Sequence, residues 1–309
     1  STHTVARNYI RMKFESFGLT AYEQSFSGTY SGTNVYAVQL GKNPNQIYII
    51  CGHYDSVTSS AADDNATGVA AVIEAARILS QLEPEYTIVY AAWDREEVGM
   101  IGSKYYAQQA KFAGKDIRAV INLDMLGWDS NNDGLAEIHV QDYANSVALA
   151  NALVSANTAY GIGLSPVIEY PGAPNSDHSS FWYQGYSAIL LIEGYYNGDF
   201  TPYYHKITDV YSTLNLGYLY KMSNMAITTL AGYVMNDKYI VAGRVFEDED
   251  ALEDGLVDGT GSNLGEELYV HLIDGSGKVT ASAVVGADGS FTFPDVTGGS
   301  YTAQLTTTA

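Results

Sequence analysis

"GVAAVIEAARILSQLEPEYTIVYAAW", residues 68–93, changes character halfway along its length. Residues 68–82 carry apolar side chains at helical spacing, and residues 87–93 form a β-rich run that is apolar without alternation, as in a strand covered on both faces. Working outward, "NVYAVQL" (34–40), "QIYIICG" (46–52), "AVINLDM" (119–125), "EIHVQD" (137–142) and "SAILLI" (187–192) read as further strands. Residues 4–17, 102–113, 146–161 and 217–235 read as helices, the first stopping at Gly18. Alternation of strand and helix predicts an α/β fold, a central mixed, twisted sheet sandwiched by helices. In such a sheet, ligands gather at the carboxyl ends of the strands.

The chain has 309 residues, more than one hydrophobic core usually serves, and its texture changes after Lys238. Beyond that point come short alternating strands and the turns "DGSG" and "ADGS", with no helix signal. The expected organisation is therefore a large domain, 1–238, and a small all-β sandwich or barrel, 239–309. Fifteen Lys plus Arg against 35 Asp plus Glu give a net charge of -20, which argues against nucleic acid or an anionic membrane as partner and favours cations. The longest apolar runs, such as "SAILLI", fall far short of the roughly 20 residues that span a bilayer. A start at Ser1 reads as a processed or trimmed product, compatible with export. The single cysteine, Cys51, excludes an internal disulfide and reads as a small buried hydrophobe. The acidic run "EDEDALEDGLVDG" (247–259) is a candidate Ca2+ loop without the full EF-hand spacing; a solvated loop is the simpler reading.

The predicted strand ends carry one class of side chain: His53 after "IYIICG", Glu96 and Glu97 after "TIVYAAW", and Asp124 within "VINLDM". Loops add Asp63 and Asp64 before the helix at 68, and His205 in "TPYYHKITD". Imidazoles and carboxylates without thiolates suit zinc and similar divalent ions, with Co2+ and Mn2+ as alternatives. Two histidines and three carboxylates suffice for a pair of ions sharing one carboxylate, an arrangement used for hydrolysis. Neighbouring residues point in different directions, so one of Glu96 and Glu97 should bind metal and the other should move protons; spacing leaves open which does which. Taken singly, each residue has a blander explanation: a structural histidine, a helix cap at Asp63–Asp64, a solvated acidic turn. Only the joint pattern favours a metal site.

Six ordered segments, "GHYDS" (52–56), "DDNATG" (63–68), "EEVGMIGS" (96–103), "NLDM" (122–125), "SDHSSF" (176–181) and "YYHKITD" (203–209), resemble the M28 zinc aminopeptidases, which are secreted or periplasmic metallopeptidases. The resemblance covers roughly residues 5 to 236 and implies a zinc-exopeptidase-like fold holding two Zn2+ per chain. It implies that Asp64 bridges the ions, that His53 and Asp124 complete one position, and that Glu97 and His205 complete the other. Glu96 becomes the general base, and Tyr204 resembles a tyrosine that hydrogen-bonds the substrate carbonyl. The Asp64–Asn65 peptide bond is expected to be cis. Asp55 and Asp209 are expected to hold the free ring nitrogens of His53 and His205. Relatives carry a small residue before the glutamate pair, whereas here Asp94 and Arg95 precede it, and a salt bridge within the turn is one expectation. The module after residue 240 is similar to prealbumin-like and Cna B-like domains of secreted proteins. The implied function is removal of an N-terminal residue from peptides with a free amine, by a monomeric, secreted or periplasmic enzyme. A carboxypeptidase or glutaminyl cyclase on the same scaffold, and a non-catalytic receptor-like binding protein, are the alternatives.

Overall fold

Strands that are apolar on both faces need cover on both, and the computed structural model shows how the chain supplies it. Residues 2–235, 238–247, 259–297 and 300–308 are described, and the chain divides into two units, Ser1–Met235 and Asn236–Ala309. In the first unit, α1 (Thr2–Ser16) precedes an antiparallel pair, β1 (Thr20–Phe26) and β2 (Gly32–Gln39). There follow β3 (Asn43–His53), α2 (Ala66–Leu79), β4 (Tyr86–Trp93), α3 (Ile101–Phe112) and β5 (Asp116–Leu123). The remainder is β6 (Leu135–His139), α4 (Ser146–Ala159), β7 (Ser165–Glu169), α5 (His178–Trp182), β8 (Ala188–Ile192) and α6 (Leu216–Val234). All eight strands join one mixed sheet in the order β1-β2-β4-β3-β5-β8-β6-β7. Its centre, β4-β3-β5-β8, is parallel, and β2 and β6 dock antiparallel on either side.

Side-chain alternation sorts the central strands between two apolar clusters. From β3, Tyr48 and Ile50 join residues of α1, α2, α4 and α6, while Ile47, Ile49 and Cys51 join residues of α3 and α5 on the other face. In β4, Ile88, Tyr90 and Ala92 face the first cluster, and Val89, Ala91 and Trp93 the second. Both faces are covered, which is why these strands lack polar alternation. Three elements gave no sequence signal. β1 is a largely polar edge strand, β7 is short and only partly buried, and α5 has five residues. The expected strand 119–125 stops at Leu123, so Asp124 and Met125 lie just past its end, Met125 with a φ of 54°.

The second unit is all β. β12 (Tyr269–Asp274) is flanked by β13 (Val279–Val284) and β15 (Tyr301–Thr306), β9 (Lys238–Arg244) pairs with β14 (Ser290–Thr297), and β10 (Phe246–Glu247) pairs with β11 (Thr260–Gly261). Val270, Leu272 and Phe293 are buried in one cluster fed by both larger sheets. Both predicted turns share one device. Oδ1 of Asp274 accepts from the Ser276 N–H and hydroxyl, Oδ1 of Asp288 accepts from those of Ser290, and each turn holds a glycine of positive φ, Gly277 just after Ser276 (83°) and Gly289 between Asp288 and Ser290 (79°). The candidate Ca2+ loop 247–259 lies, apart from its end residues, outside the described residues. Among the described residues no helix is long and apolar enough to cross a membrane.

Candidate metal centre

Because β3, β4 and β5 are adjacent and parallel, their carboxyl ends open on one edge of the sheet. β3 ends on His53, β4 runs into the turn bearing Glu96 and Glu97, and β5 is followed by Asp124. Asp64 arrives from the loop before α2 through a cis bond to Asn65. Asn65 caps α2, its Oδ1 accepting from Gly68 N (2.9 Å), and it also accepts from Met125 N (3.2 Å) and donates to the Leu123 carbonyl (2.8 Å). The first turn of α2 is thereby fastened to the backbone on both sides of Asp124. Only glycine fits at position 68, where a Cβ would lie 2.3 Å from the Leu123 carbonyl oxygen and 2.4 Å from Asn65 Oδ1. His205 sits on a turn with a φ of 56°, its ring stacked on Tyr204 at 3.7 Å between centroids.

The five residues expected to hold metal fall into two triads that share Asp64. His53 Nε2 lies 3.3 Å from both Asp64 Oδ1 and Asp124 Oδ1. His205 Nε2 lies 3.3 Å from Asp64 Oδ2 and 3.1 Å from Glu97 Oε2. In each triad the candidate ligand atoms lie within 4.8 Å of one another. The first triad is buried, whereas the His205 side chain keeps 35% of its exposure.

Electrostatics provide a test of fit. Burial and the neighbouring carboxylates of Asp177, Asp124 and Glu97 push Glu96 up to about 9, and burial with Asp64 pushes Glu97 up to about 8. Burial also raises Asp64. Burial works against a charged imidazole at His53, yet Asp124 holds it well above its ordinary value, with Asp55 and Asp64 adding to the effect. Asp124 Oδ2 is taken by the Ser176 hydroxyl (2.6 Å), but its Oδ1 is buried without a hydrogen-bond partner; its approach to His53 lacks hydrogen-bond geometry. Carboxylates crowded at low dielectric, an orphaned oxygen and converging imidazole nitrogens are the donor set a divalent cation satisfies. The residues present fit two such ions.

Around this core the structure departs from expectation at three points. His53 Nδ1 meets the backbone carbonyl of Asp55 (3.0 Å) rather than its carboxylate (3.6 Å), so the main chain orients the ring. The Asp55 carboxylate instead accepts from Glu96 N (2.9 Å) and Glu97 N (3.3 Å), fixing the glutamate turn. Asp209 does not serve His205; it accepts from the N–H groups of Asp63 and Asp64 (2.9 and 3.0 Å). Asp94 and Arg95 form no salt bridge. Asp94 is fully buried and accepts from Thr33 N (2.7 Å) and His3 Nε2 (2.8 Å), while Arg95 donates to the Ser31 carbonyl (3.0 Å).

Sequence reasoning also missed participants. Ser176 lies in a quoted motif, but its contact with Asp124 needs the fold. Glu193 follows β8 as Glu96 and Asp124 follow their strands, a signal that was available. It is fully buried and accepts from Trp128 N and Thr201 N; burial and the neighbouring Asp63 hold its carboxyl well above the ordinary range.

Beside the two triads opens a pocket lined by Glu96 and by the apolar side chains of Met125, Leu190, Ile192, Tyr195 and Phe200. Tyr204 also lines it; burial and the carboxylates of Asp64 and Glu97 raise its phenol, so the hydroxyl keeps its proton. A parallel-centred sheet that brings two candidate ligand triads together around one shared aspartate, with Glu96 beside them, is an arrangement suited to metal-assisted hydrolysis. Residues 34–230 match peptidase family M28, and the chain belongs to that family. It is 33% identical to leupeptin-inactivating enzyme 1 of Streptomyces exfoliatus over 192 residues, 60% of this chain and 42% of that protein, so it spans about two fifths of that relative's length. Its fold is similar to the LapA aminopeptidase of Legionella pneumophila (TM-score 0.65, 25% identity, 73% of this chain and 64% of that one). It also resembles in fold a glutaminyl cyclase of Bacteroides thetaiotaomicron (TM-score 0.62, 20% identity, 74% of this chain and 88% of that one).

Proposed function

We propose that the chain is a co-catalytic di-zinc aminopeptidase that removes apolar N-terminal residues from peptides. The observation that carries this reading is the pair of triads sharing Asp64, with Glu96 left outside both. When bound, zinc ions held by His53, Asp64 and Asp124 and by Asp64, Glu97 and His205 would acidify the attacking water and polarise the scissile carbonyl. Glu96, fixed by its backbone bond to Asp55, takes a proton from that water and delivers it to the leaving amine nitrogen. Cations beside it would bring its carboxyl down from about 9 into the range where it can accept that proton. Tyr204, protonated and beside the cluster, donates to the developing oxyanion. The substrate's free amine suits the lining carboxylates, and its side chain suits the apolar lining of Met125, Leu190, Ile192 and Phe200. Export and a monomeric state rest on the family resemblance alone.

Glu96→Gln should lower kcat on leucyl p-nitroanilide by about 10²-fold to 10⁴-fold with two zinc ions retained, the range for loss of a general base. Glu97→Ala should instead lose metal. Unchanged kcat in Glu96→Gln would overturn the mechanism. One zinc per chain, with cyclisation of N-terminal glutamine, would replace it with the cyclase reading.

A further inference from the structure

Two buried side chains that the metal chemistry does not use stand next to the apolar pocket. Glu137 and His139 are neighbours but one on β6, so they share a face, and register pairs them with Ile192 and Leu190 of β8, which line the pocket. Both are fully buried, and His139 Nε2 donates to Glu137 Oε2 (2.9 Å). Each then reaches a different segment of the pocket lining. His139 Nδ1 accepts from Ala173 N (3.1 Å), and Ala173 lines the pocket. Glu137 accepts from the backbone N–H groups of Tyr196 and Asn197 (each 2.8 Å) and from the Asn197 side chain (2.6 Å). That loop carries Tyr195 and Phe200, two further residues that line the pocket. The His139 ring also packs edge-on against Tyr195 and Tyr196. A second imidazole, His178 Nε2, donates to the Ala173 carbonyl (2.8 Å), so Ala173 is held at both of its backbone polar groups.

A buried acid on a strand is expensive unless every lone pair is used. Here its oxygens are used on one short loop and one imidazole, and that imidazole is used on one alanine amide. We infer that the Glu137–His139 pair is a positioning device that ties two lining segments of the side-chain pocket, at Ala173 and at the loop of Tyr195 and Phe200, to each other and so sets selectivity among N-terminal residues. This rests on the aminopeptidase reading for its substrate, but the tie is a property of the fold and can be read separately.

His139→Asn keeps an acceptor for Ala173 N and gives up Glu137, whereas His139→Gln reaches Glu137 and gives up Ala173. In each, KM for leucyl p-nitroanilide should rise about tenfold with kcat within about threefold and zinc content unchanged, and the preference for leucyl over alanyl substrate should fall about fivefold or more. Hydrogen exchange should quicken about tenfold at Tyr196 and Asn197 in His139→Asn and at Ala173 in His139→Gln, while amides of α2 keep their protection. Unchanged leucyl-to-alanyl preference in both variants overturns the selectivity role. If the wild-type chain hydrolyses no aminoacyl anilide, the aminopeptidase reading fails on its own, and exchange then decides the tie: faster exchange at the stated amides upholds it, and unchanged exchange overturns it.

Discussion

Replacing Gly68 by alanine sets two effects of opposite sign against each other. Gly68 is the third residue of α2, and alanine in a helix is favoured over glycine by about 1 kcal/mol. The added Cβ, however, would lie 2.3 Å from the Leu123 carbonyl oxygen, where ordinary contact begins at 3.4 Å. Either α2 or the end of β5 must then move by about 1 Å, at an overpacking cost of about 1–3 kcal/mol. The same movement strains the Asn65 amide, which bonds Gly68 N, Met125 N and the Leu123 carbonyl; losing one such bond costs about 1 kcal/mol. The net expectation is destabilisation by about 2 kcal/mol together with weaker metal binding, because Asp124 lies between the two disturbed carbonyl and amide groups. Trp93, Trp128 and Trp182 all lie in the first unit, so tryptophan fluorescence in urea reads this unit alone. Gly232→Ala in α6, where a Cβ meets nothing within 4 Å, should stabilise by about 1 kcal/mol and calibrates the propensity effect. A Gly68→Ala protein as stable as wild type that binds metal equally well would refute the packing argument.

Two further outcomes follow from the same groups. In metal-free protein, burial pushes Asp63 and Asp177 each up to about 7, so the folded state holds protons that the unfolded chain releases near pH 4, and stability falls as pH rises toward 7. Between pH 5 and 7 the pair contributes a loss of about 5 kcal/mol, against a gain of about 2 kcal/mol from His178, which burial lowers to about 3. Urea midpoints in EDTA should therefore be lower at pH 7 than at pH 5, and the opposite order would contradict the burial of these carboxyls. Asp209→Asn leaves one of the Asp63 and Asp64 amides facing a side-chain donor, so zinc affinity should fall about 10-fold to 100-fold while Tyr204 and His205 stay in place. Isothermal titration of the metal-free variant with zinc reads this directly, and wild-type affinity would assign Asp209 no part in holding Asp64.

The central strands were legible because both of their faces are apolar, and the strand ends because imidazole and carboxylate recur there. The six segments that carry the family resemblance also contain Ser176, but nothing in "SDHSSF" reveals that its hydroxyl meets Asp124 across 52 positions. Proximity in sequence points Asp55 and Asp209 at imidazoles; in the fold Asp55 meets His53 through its carbonyl, while both carboxylates accept from backbone amides, because neighbouring loops present N–H groups that no spacing rule anticipates. β1 and β7 were invisible for a physical reason. As edge strands they need only partial burial, so their composition stays polar or mixed. The Glu137–His139 pair was hidden in "EIHVQD" as ordinary strand alternation, since its partners come from residues 173 and 196–197.

The unequal exposure of the two triads gives the proposed centre a time order. His53 and Asp124 are walled in, whereas His205 reaches the surface from a turn. An ion held at the inner position would be reached only by way of the pocket that His53, Asp64 and Asp124 line, while one at the outer position would also meet solvent and competing chelators beside the exposed His205. Loading and exchange should thus be sequential, with a slow inner occupant that endures purification and a fast outer one that follows the metals around it.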